Sequence, residues 1–177
     1  MAKKRVLFIG MGAIGSLYAS KCDSSKAVID CIARSNYQEI KKTGLTIQHP
    51  DNTTSQFIPN DTFKSINQIT YEPDYIVITT KVLPNQSLTT DIKSLIGKNT
   101  SIVLLQNGFQ IEKKYYNLYP NTTLISGLAF ICVTKKGATT IHHQDYGRLI
   151  LGCYPNGINN NITEFAALFD TSNIGCQ

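Results

Sequence analysis

From its amino terminus the chain opens on Arg5-Val-Leu-Phe-Ile9, a continuous apolar run that suits a strand buried on both faces. It leads directly into Gly10-Met-Gly-Ala-Ile-Gly15, and Ala13 to Cys22 then carries a helical pattern. Ala27 to Ala33 predicts a second strand, and Ser35-Asn36 opens a short helix that Gly44 stops. This strand–helix–strand unit closes within about thirty residues, the usual size of such a unit. From Leu45 to Ile58 polar and apolar residues flank Pro50-Asp-Asn-Thr-Thr54, which predicts an antiparallel hairpin between parallel units. Asp74–Thr79 and Thr100–Leu105 predict two more buried strands with a helix across Gln86 to Ile96 between them. A helix over Ile111–Leu118 and a strand over Thr123–Ala129 follow. Extended stretches around Thr139–Ile141 and Arg148–Gly152 predict a closing hairpin, then an Asn-rich turn at Asn159-Asn-Asn161 and an amphipathic segment from Ile162 to Phe169.

Strands alternating with helices, each strand with an apolar centre, predict an α/β architecture: a Rossmann-like, doubly wound, mainly parallel sheet with a closing antiparallel hairpin. No internal repeat or low-complexity linker interrupts it. The 177 residues, 42% hydrophobic, suit one packed domain with a short appendage and not two full-sized ones.

Seventeen Lys and Arg against twelve Asp and Glu leave a net charge of +5, which suits anionic small ligands as well as nucleic acid. The basic residues come as Lys3-Lys4-Arg5, Lys41-Lys42, Lys113-Lys114 and Lys135-Lys136, with no long block and no interleaved aromatics. They read as solvated surface, so no nucleic-acid partner is expected. The five cysteines form no CxxC pair and no cluster with histidine at metal spacing, so free buried thiols of a reducing cytosol are expected, and no metal. His142 and His143 are neighbours on an extended stretch and point to opposite faces. Lys3-Lys4-Arg5 with the apolar stretch behind it imitates a signal peptide, but three glycines interrupt the stretch and a strand with a glycine turn explains it better. No segment approaches the ~18 apolar residues of a membrane span. A cytoplasmic protein without a membrane partner is expected.

Ligands of doubly wound sheets bind at the carboxyl ends of the strands, and three polar or glycine-rich groups lie there: Gly10 to Gly15, Thr79-Thr80-Lys81 and Gln106-Asn107-Gly108. A GxGxxG string is weak evidence by itself, but here it follows an apolar strand and opens a helix. Gly10 permits the tight turn, Gly12 lets backbone approach a pyrophosphate, and Gly15 allows close packing of helix on strand. Amides near Ala13 and Ile14 would present the positive helix end to the phosphates. The second strand ends in Ala33-Arg34-Ser35, where a site for NAD would place Asp or Glu. A guanidinium fits a 2′-phosphate with paired charge-assisted bonds and Ser35 can add another, which predicts NADP. Asp30 lies three residues inside the strand, too early for the ribose. Lys81 suits a cofactor phosphate or a substrate carboxylate, and a solvated lysine accounts for it equally well. Asn107 can donate to one partner while accepting from another, and Asn-Gly is also a favoured turn pair.

Together, Gly10 to Gly15, Arg34, Thr80-Lys81, Leu105-Gln-Asn-Gly108, Gly127, and the stretches Gly137 to His142 and Gly147 to Gly152 resemble the ketopantoate reductase (2-dehydropantoate 2-reductase) family over nearly the whole chain. Their joint order and spacing is specific where each motif alone is not. The resemblance implies NADPH as cofactor, bound by the glycine turn with Met11 and by Arg34. It implies that Lys81 and Asn107 line the cofactor and substrate cleft and that backbone near Val133 touches the cofactor. The implied reaction is hydride transfer from NADPH to the C2 carbonyl of ketopantoate, giving pantoate for pantothenate and coenzyme A synthesis. One departure is that Lys81-Val-Leu-Pro-Asn-Gln86 is two residues longer than the family's usual spacing from lysine to glutamine.

Family members continue into an all-helical domain that carries the general-acid lysine and further substrate-binding groups. The resemblance thus implies residues 1–158 as the NADPH-binding domain and 159–177 as the start of the helical one. No general acid is then expected in this chain: that lysine falls shortly after Gln177, and the chain alone is expected to be inactive. Two other readings stay open: a non-catalytic NADPH-binding or sensing module, and a reductase of a different 2-oxo acid. The extended stretch Phe130 to Tyr154 is expected to leave an exposed edge or apolar patch where the helical domain would pack, which is also compatible with self-association as a homodimer.

Overall fold

A strand with no polar side to give to water has to be covered on both faces, and that requirement builds the middle of this molecule. The computed structural model describes residues 2–82 and 87–169. Strands β1 (Lys4–Ile9), β2 (Ala27–Ile32), β6 (Tyr75–Ile78) and β7 (Ser101–Leu104) pair in parallel at its centre, in the order β7-β6-β1-β2. Period-two alternation splits β1 between two cores: Val6 and Phe8 face one, Leu7 and Ile9 the other, and all four are buried. Helices α1 (Ala13–Lys21), α2 (Tyr37–Thr43) and α5 (Asn160–Ala167) cover the first face with Leu17, Ile40 and Phe165. Helices α3 (Leu88–Asp91), continued by a 3₁₀ turn at Ile92–Leu95, and α4 (Ile111–Leu118) cover the second with Leu88, Ile92 and Tyr115. The sheet is doubly wound, as the sequence pattern predicts.

The outer strands complete a nine-stranded sheet. Beyond β7 lie β8 (Thr123–Lys136), parallel to it, and β9 (Thr140–Cys153), antiparallel to β8. The hairpin β3 (Leu45–Gln48) and β4 (Thr54–Phe57) adds to β9. On the other edge β5 (Asp61–Phe63) pairs with β2.

Three features differ from the sequence expectation. Strand β5 is unanticipated, because only Thr62 of its three residues is buried and no pattern marks it. The strand expected to stop at Ala129 runs on to Lys136, and β9 begins at Thr140 and runs unbroken to Cys153, so one long hairpin replaces three short stretches. Bulges at Phe130/Ile131 and Cys132/Val133 obscure its alternation in the sequence. The Asn159–Asn161 turn is a helix start: Asn159 Oδ1 accepts from Ile162 N at 3.1 Å and caps α5. The helix expected from Gln86 is described from Leu88 only, and Gln86 lies outside the described residues.

The segment from Asn159 to Phe169 packs on the sheet's own core. Ile162, Phe165, Leu168 and Phe169 are buried in the same cluster as Tyr18 and Tyr75. The Phe165 ring stands 5.0 Å from that of Tyr75, and Asn161 Nδ2 donates to Ser101 Oγ and Thr123 Oγ1. Residues 170–177, with Cys176, lie outside the described residues.

Asp30 is fully buried in β2, and accepts hydrogen bonds from Arg5 Nε (3.0 Å), Asn60 Nδ2 (2.8 Å) and Tyr71 OH. Its lone pairs are spent on the fold, in keeping with its position too early in the strand for a ribose. The cysteines correct the expectation in part. Cys22 and Cys31 are buried, and burial pushes the Cys31 thiol up to about 12, but Cys153 is half-buried and Cys132 exposed, because an outward position of β8 faces water. Among the described residues no helix is long and apolar enough to cross a membrane.

Candidate functional site

Strand β1 ends on a turn that glycine alone can build. Gly10 has φ of +106°, and a Cβ there would lie 2.7 Å from Thr80 Cγ2. A Cβ on Gly15 would stand 2.1 Å from Gly10 O and 2.3 Å from Thr79 Oγ1, so α1 sits closer to the strand ends than any side chain permits. Gly12, the N-cap of α1, differs: a Cβ there would meet nothing within 4 Å. Open space thus lies beside the residue where backbone must approach a ligand. No side chain caps the helix, which leaves the first-turn amides around Ala13 and Ile14 available to an anion.

Hydrogen bonds lock the neighbouring strand ends to this turn. Thr79 Oγ1 donates to Gly10 O at 2.5 Å, and Gln106 Nε2 donates to Thr80 O at 2.6 Å. The ends of β1, β6 and β7 are thereby held together although their residues are far apart in sequence.

A cavity of about 290 Å³ opens above these ends, lined by Gly10, Met11, Gly12, Arg34, Ser35 and Lys81, together with Thr79, Thr80, Asn36 and Lys135. A second of about 470 Å³ shares the walls Ile9, Ile32 and Arg34 and adds Lys64, Ser65 and Ile66. Arg34 stands on the shared wall, exposed at the end of β2. Six of the residues singled out from the sequence thus meet around one cavity. Ala13 and Ile14 form the first turn of α1 behind it, and Gly15 is buried under the turn. Asn107 and Val133 do not line it: Asn107 is exposed at the end of β7, and Val133 is half-buried and packs against the core. The long loop after Lys81 falls at Leu83–Gln86, outside the described residues.

Next to Asn107, Gly108 and Phe109 wall a more open hollow of about 590 Å³ with Leu128, Ile150, Glu112 and Ser126. Ser126 Oγ donates to Glu112 Oε1 at 2.6 Å. The residues around it include strongly exposed apolar side chains, Phe109 at 90% and Leu128 at 62%.

Two lining residues escape the sequence reading. Asn36 is buried, and its Nδ2 donates to Met11 O (3.3 Å) and Ala138 O (3.2 Å), which ties the glycine turn to the tip of the β8–β9 hairpin. Lys135, expected as solvated surface with Lys136, is half-buried while Lys136 is exposed, since alternation along β8 turns one inward and the other outward. Burial lowers the Lys135 ammonium pKa, opposed by the charge of Glu39. The only signal for either was tertiary. The whole arrangement, three cations and a bare helix amino terminus around an open cleft, suits a ligand that carries several phosphate oxygens.

A sequence model described as Ketopantoate reductase PanE/ApbA matches residues 6–156. Among curated proteins, the 2-dehydropantoate 2-reductase of Nostoc sp. is 28% identical over 162 residues, which is 90% of this chain and 50% of that protein. Among solved structures, 2-dehydropantoate 2-reductase from Methylococcus capsulatus superposes with a TM-score of 0.88 at 33% identity, over 97% of this chain and 55% of that one. The enzyme of the same description from Geobacter metallireducens gives a TM-score of 0.87 at 25% identity, over 98% of this chain and 57% of that one. The chain spans about half the length of the curated relatives it matches.

Proposed function

The chain belongs to the ketopantoate reductase family, a family of nicotinamide-dependent oxidoreductases, and on that premise we propose that it carries the NADPH-binding part of an enzyme reducing the C2 carbonyl of ketopantoate to pantoate. The observation that carries the reading is Arg34 with Ser35 at the end of β2, on the wall of the cavity that the glycine turn floors. An acidic residue there would favour the ribose hydroxyls of NAD, whereas a guanidinium favours a 2′-phosphate.

Each residue then has a task. The amides at Ala13 and Ile14 take the pyrophosphate across the space left by Gly12, while Gly10, Met11 and Gly15 shape the turn. Arg34 and Ser35 hold the 2′-phosphate. Lys81 neutralises charge on the opposite wall, toward the end where a substrate carboxylate would lie. Asn107 lies at the end of the neighbouring β7, where its amide can bridge cofactor and substrate, and backbone near Val133 completes the cofactor contacts. NADPH supplies the hydride when bound, and the described residues bind and orient it. The alkoxide left at C2 also needs a proton, and the resemblance assigns that donor to a helical half. With ketopantoate and NADPH, the 177 residues alone are expected to leave the nicotinamide absorbance unchanged, and turnover at enzyme-like rates would contradict this.

The direct test is a fluorescence titration of Arg34→Asp with both cofactors. Loss of a charge-assisted contact of about 1.5–3 kcal/mol should weaken NADPH roughly 10- to 100-fold and leave NADH nearly unchanged. Equal losses for both would refute the assignment of Arg34.

A further inference from the structure

Buried Asn36 and half-buried Lys135 come from distant segments and line one cavity with the glycine turn. Asn36, 5% exposed, commits both of its contacts to backbone carbonyls, Met11 O and Ala138 O, and so fixes the hairpin tip against the turn. Lys135 lies three residues before Ala138 and opposite the fully buried Ile141, on the core-facing side of the hairpin. There it lines the same cavity as Gly12, Arg34 and Ser35. Its charge has no fixed counterpart: none of the ion pairs among the described residues includes it, and Glu39, exposed on α2, acts only at a distance. A cation taken part-way out of water without a partner is costly unless a ligand supplies the anion.

We propose that Lys135 is a third cation of the dinucleotide site, meeting phosphate oxygens from the hairpin side while Arg34 and the α1 amides meet them from the sheet side, and that Asn36 is the positioning residue that holds it there. The proposal rests on the NADPH reading of the cleft and adds to it a residue on β8, outside the sheet's first βαβ unit. It also accounts for Asn36, whose two contacts otherwise join segments that the sheet does not need joined.

The test is titration of the 177-residue protein with NADPH and with NADH, at low and moderate salt, for Lys135→Gln, Lys135→Arg, Asn36→Ala and the double variant Asn36→Ala/Lys135→Gln. Lys135→Gln should weaken NADPH about tenfold and flatten the salt dependence, and Lys135→Arg should keep most of the affinity. A loss confined to NADPH places the ammonium on the 2′-phosphate, and a loss shared by NADH places it on the pyrophosphate; both support a phosphate-binding lysine. Unchanged affinity in Lys135→Gln, or an equal loss in Lys135→Arg, overturns it. Asn36→Ala should weaken binding, and adding Lys135→Gln to it should cost less than Lys135→Gln alone; strict additivity overturns the positioning role of Asn36. If the unaltered protein binds neither dinucleotide, the cofactor reading fails and the assignment falls with it, an outcome distinct from selective failure of the Lys135 variants.

Discussion

Gly12 and Gly15 sit three residues apart in one motif and meet opposite constraints. A methyl group on Gly15 collides with Gly10 O, which cannot withdraw without moving the end of β1, and with Thr79 Oγ1, whose rotation away would break its hydrogen bond to Gly10 O. Gly15→Ala should therefore cost about 1–3 kcal/mol of stability and lose nucleotide binding as well. A methyl group on Gly12 meets no protein atom and fills only the space left for a ligand. Gly12→Ala should melt close to the unaltered protein yet bind NADPH poorly, so paired thermal melts and titrations separate a packing glycine from a binding one. The sequence alone assigns both roles because the GxGxxG spacing has a fixed geometry behind it. It is silent on Asn36 and Lys135, whose importance comes from a hairpin tip that packs against a turn about a hundred residues away in the chain. A pH effect also belongs at this scale. His49 accepts burial and lies near Lys21, both of which lower its pKa, while Asp51 opposes them. Unfolded chains then bind the extra proton first, so stability is full above the ordinary histidine value of about 6.5 and declines as pH falls below it. Urea titrations across that range should show a shallower decline for His49→Gln.

Helix α5 tests how elements combine. Its amphipathic pattern from Ile162 to Phe169 is plain in the sequence, but what it packs against is not, because a helix face names no partner. In the structure Phe165 is fully buried between Tyr75 and Phe169, at ring distances of 5.0 and 5.4 Å, and Lys26 Nζ donates to Ala167 O at 2.7 Å. Phe165→Ala should thus destabilise the sheet domain as a whole by about 3–5 kcal/mol, read as a single shifted denaturation transition. A helix belonging to some other unit would leave that transition in place. The buried parallel strands were legible for the opposite reason: a run such as Val6–Ile9 has only one way to hide. Strand β5 is illegible because it hides almost nothing, and the sequence of the β8–β9 hairpin resolves only into fragments because bulges break its alternation.

Over the whole molecule, the strand order brings Gly10, Arg34 and Lys81 to one cavity and sets Asn107 at the end of β7, outside its lining. Strand β1 has β2 on one side and β6 on the other, so the chain winds away from it in both directions and leaves a crevice at its carboxyl end. The cavities open there, and Arg34, Lys64, Lys81 and Lys135 line them. Beyond the β7 end the character changes. Phe109, Leu128, Phe130, Tyr146 and Ile150 are all exposed; Leu128 stands opposite Ile150 across the hairpin, and the Phe130 and Tyr146 rings lie 4.7 Å apart. Apolar side chains collected on one side of a hairpin, next to a candidate substrate end, are expected to find a cover. In solutions of this chain the readiest cover is a second copy, through the same hairpin face. Sedimentation should show weight-average mass rising with concentration, and Leu128→Lys, which places like charges face to face across such a contact, should hold the protein monomeric while leaving NADPH affinity unchanged. A monomer at every concentration in the unaltered protein would rule out self-association through this face.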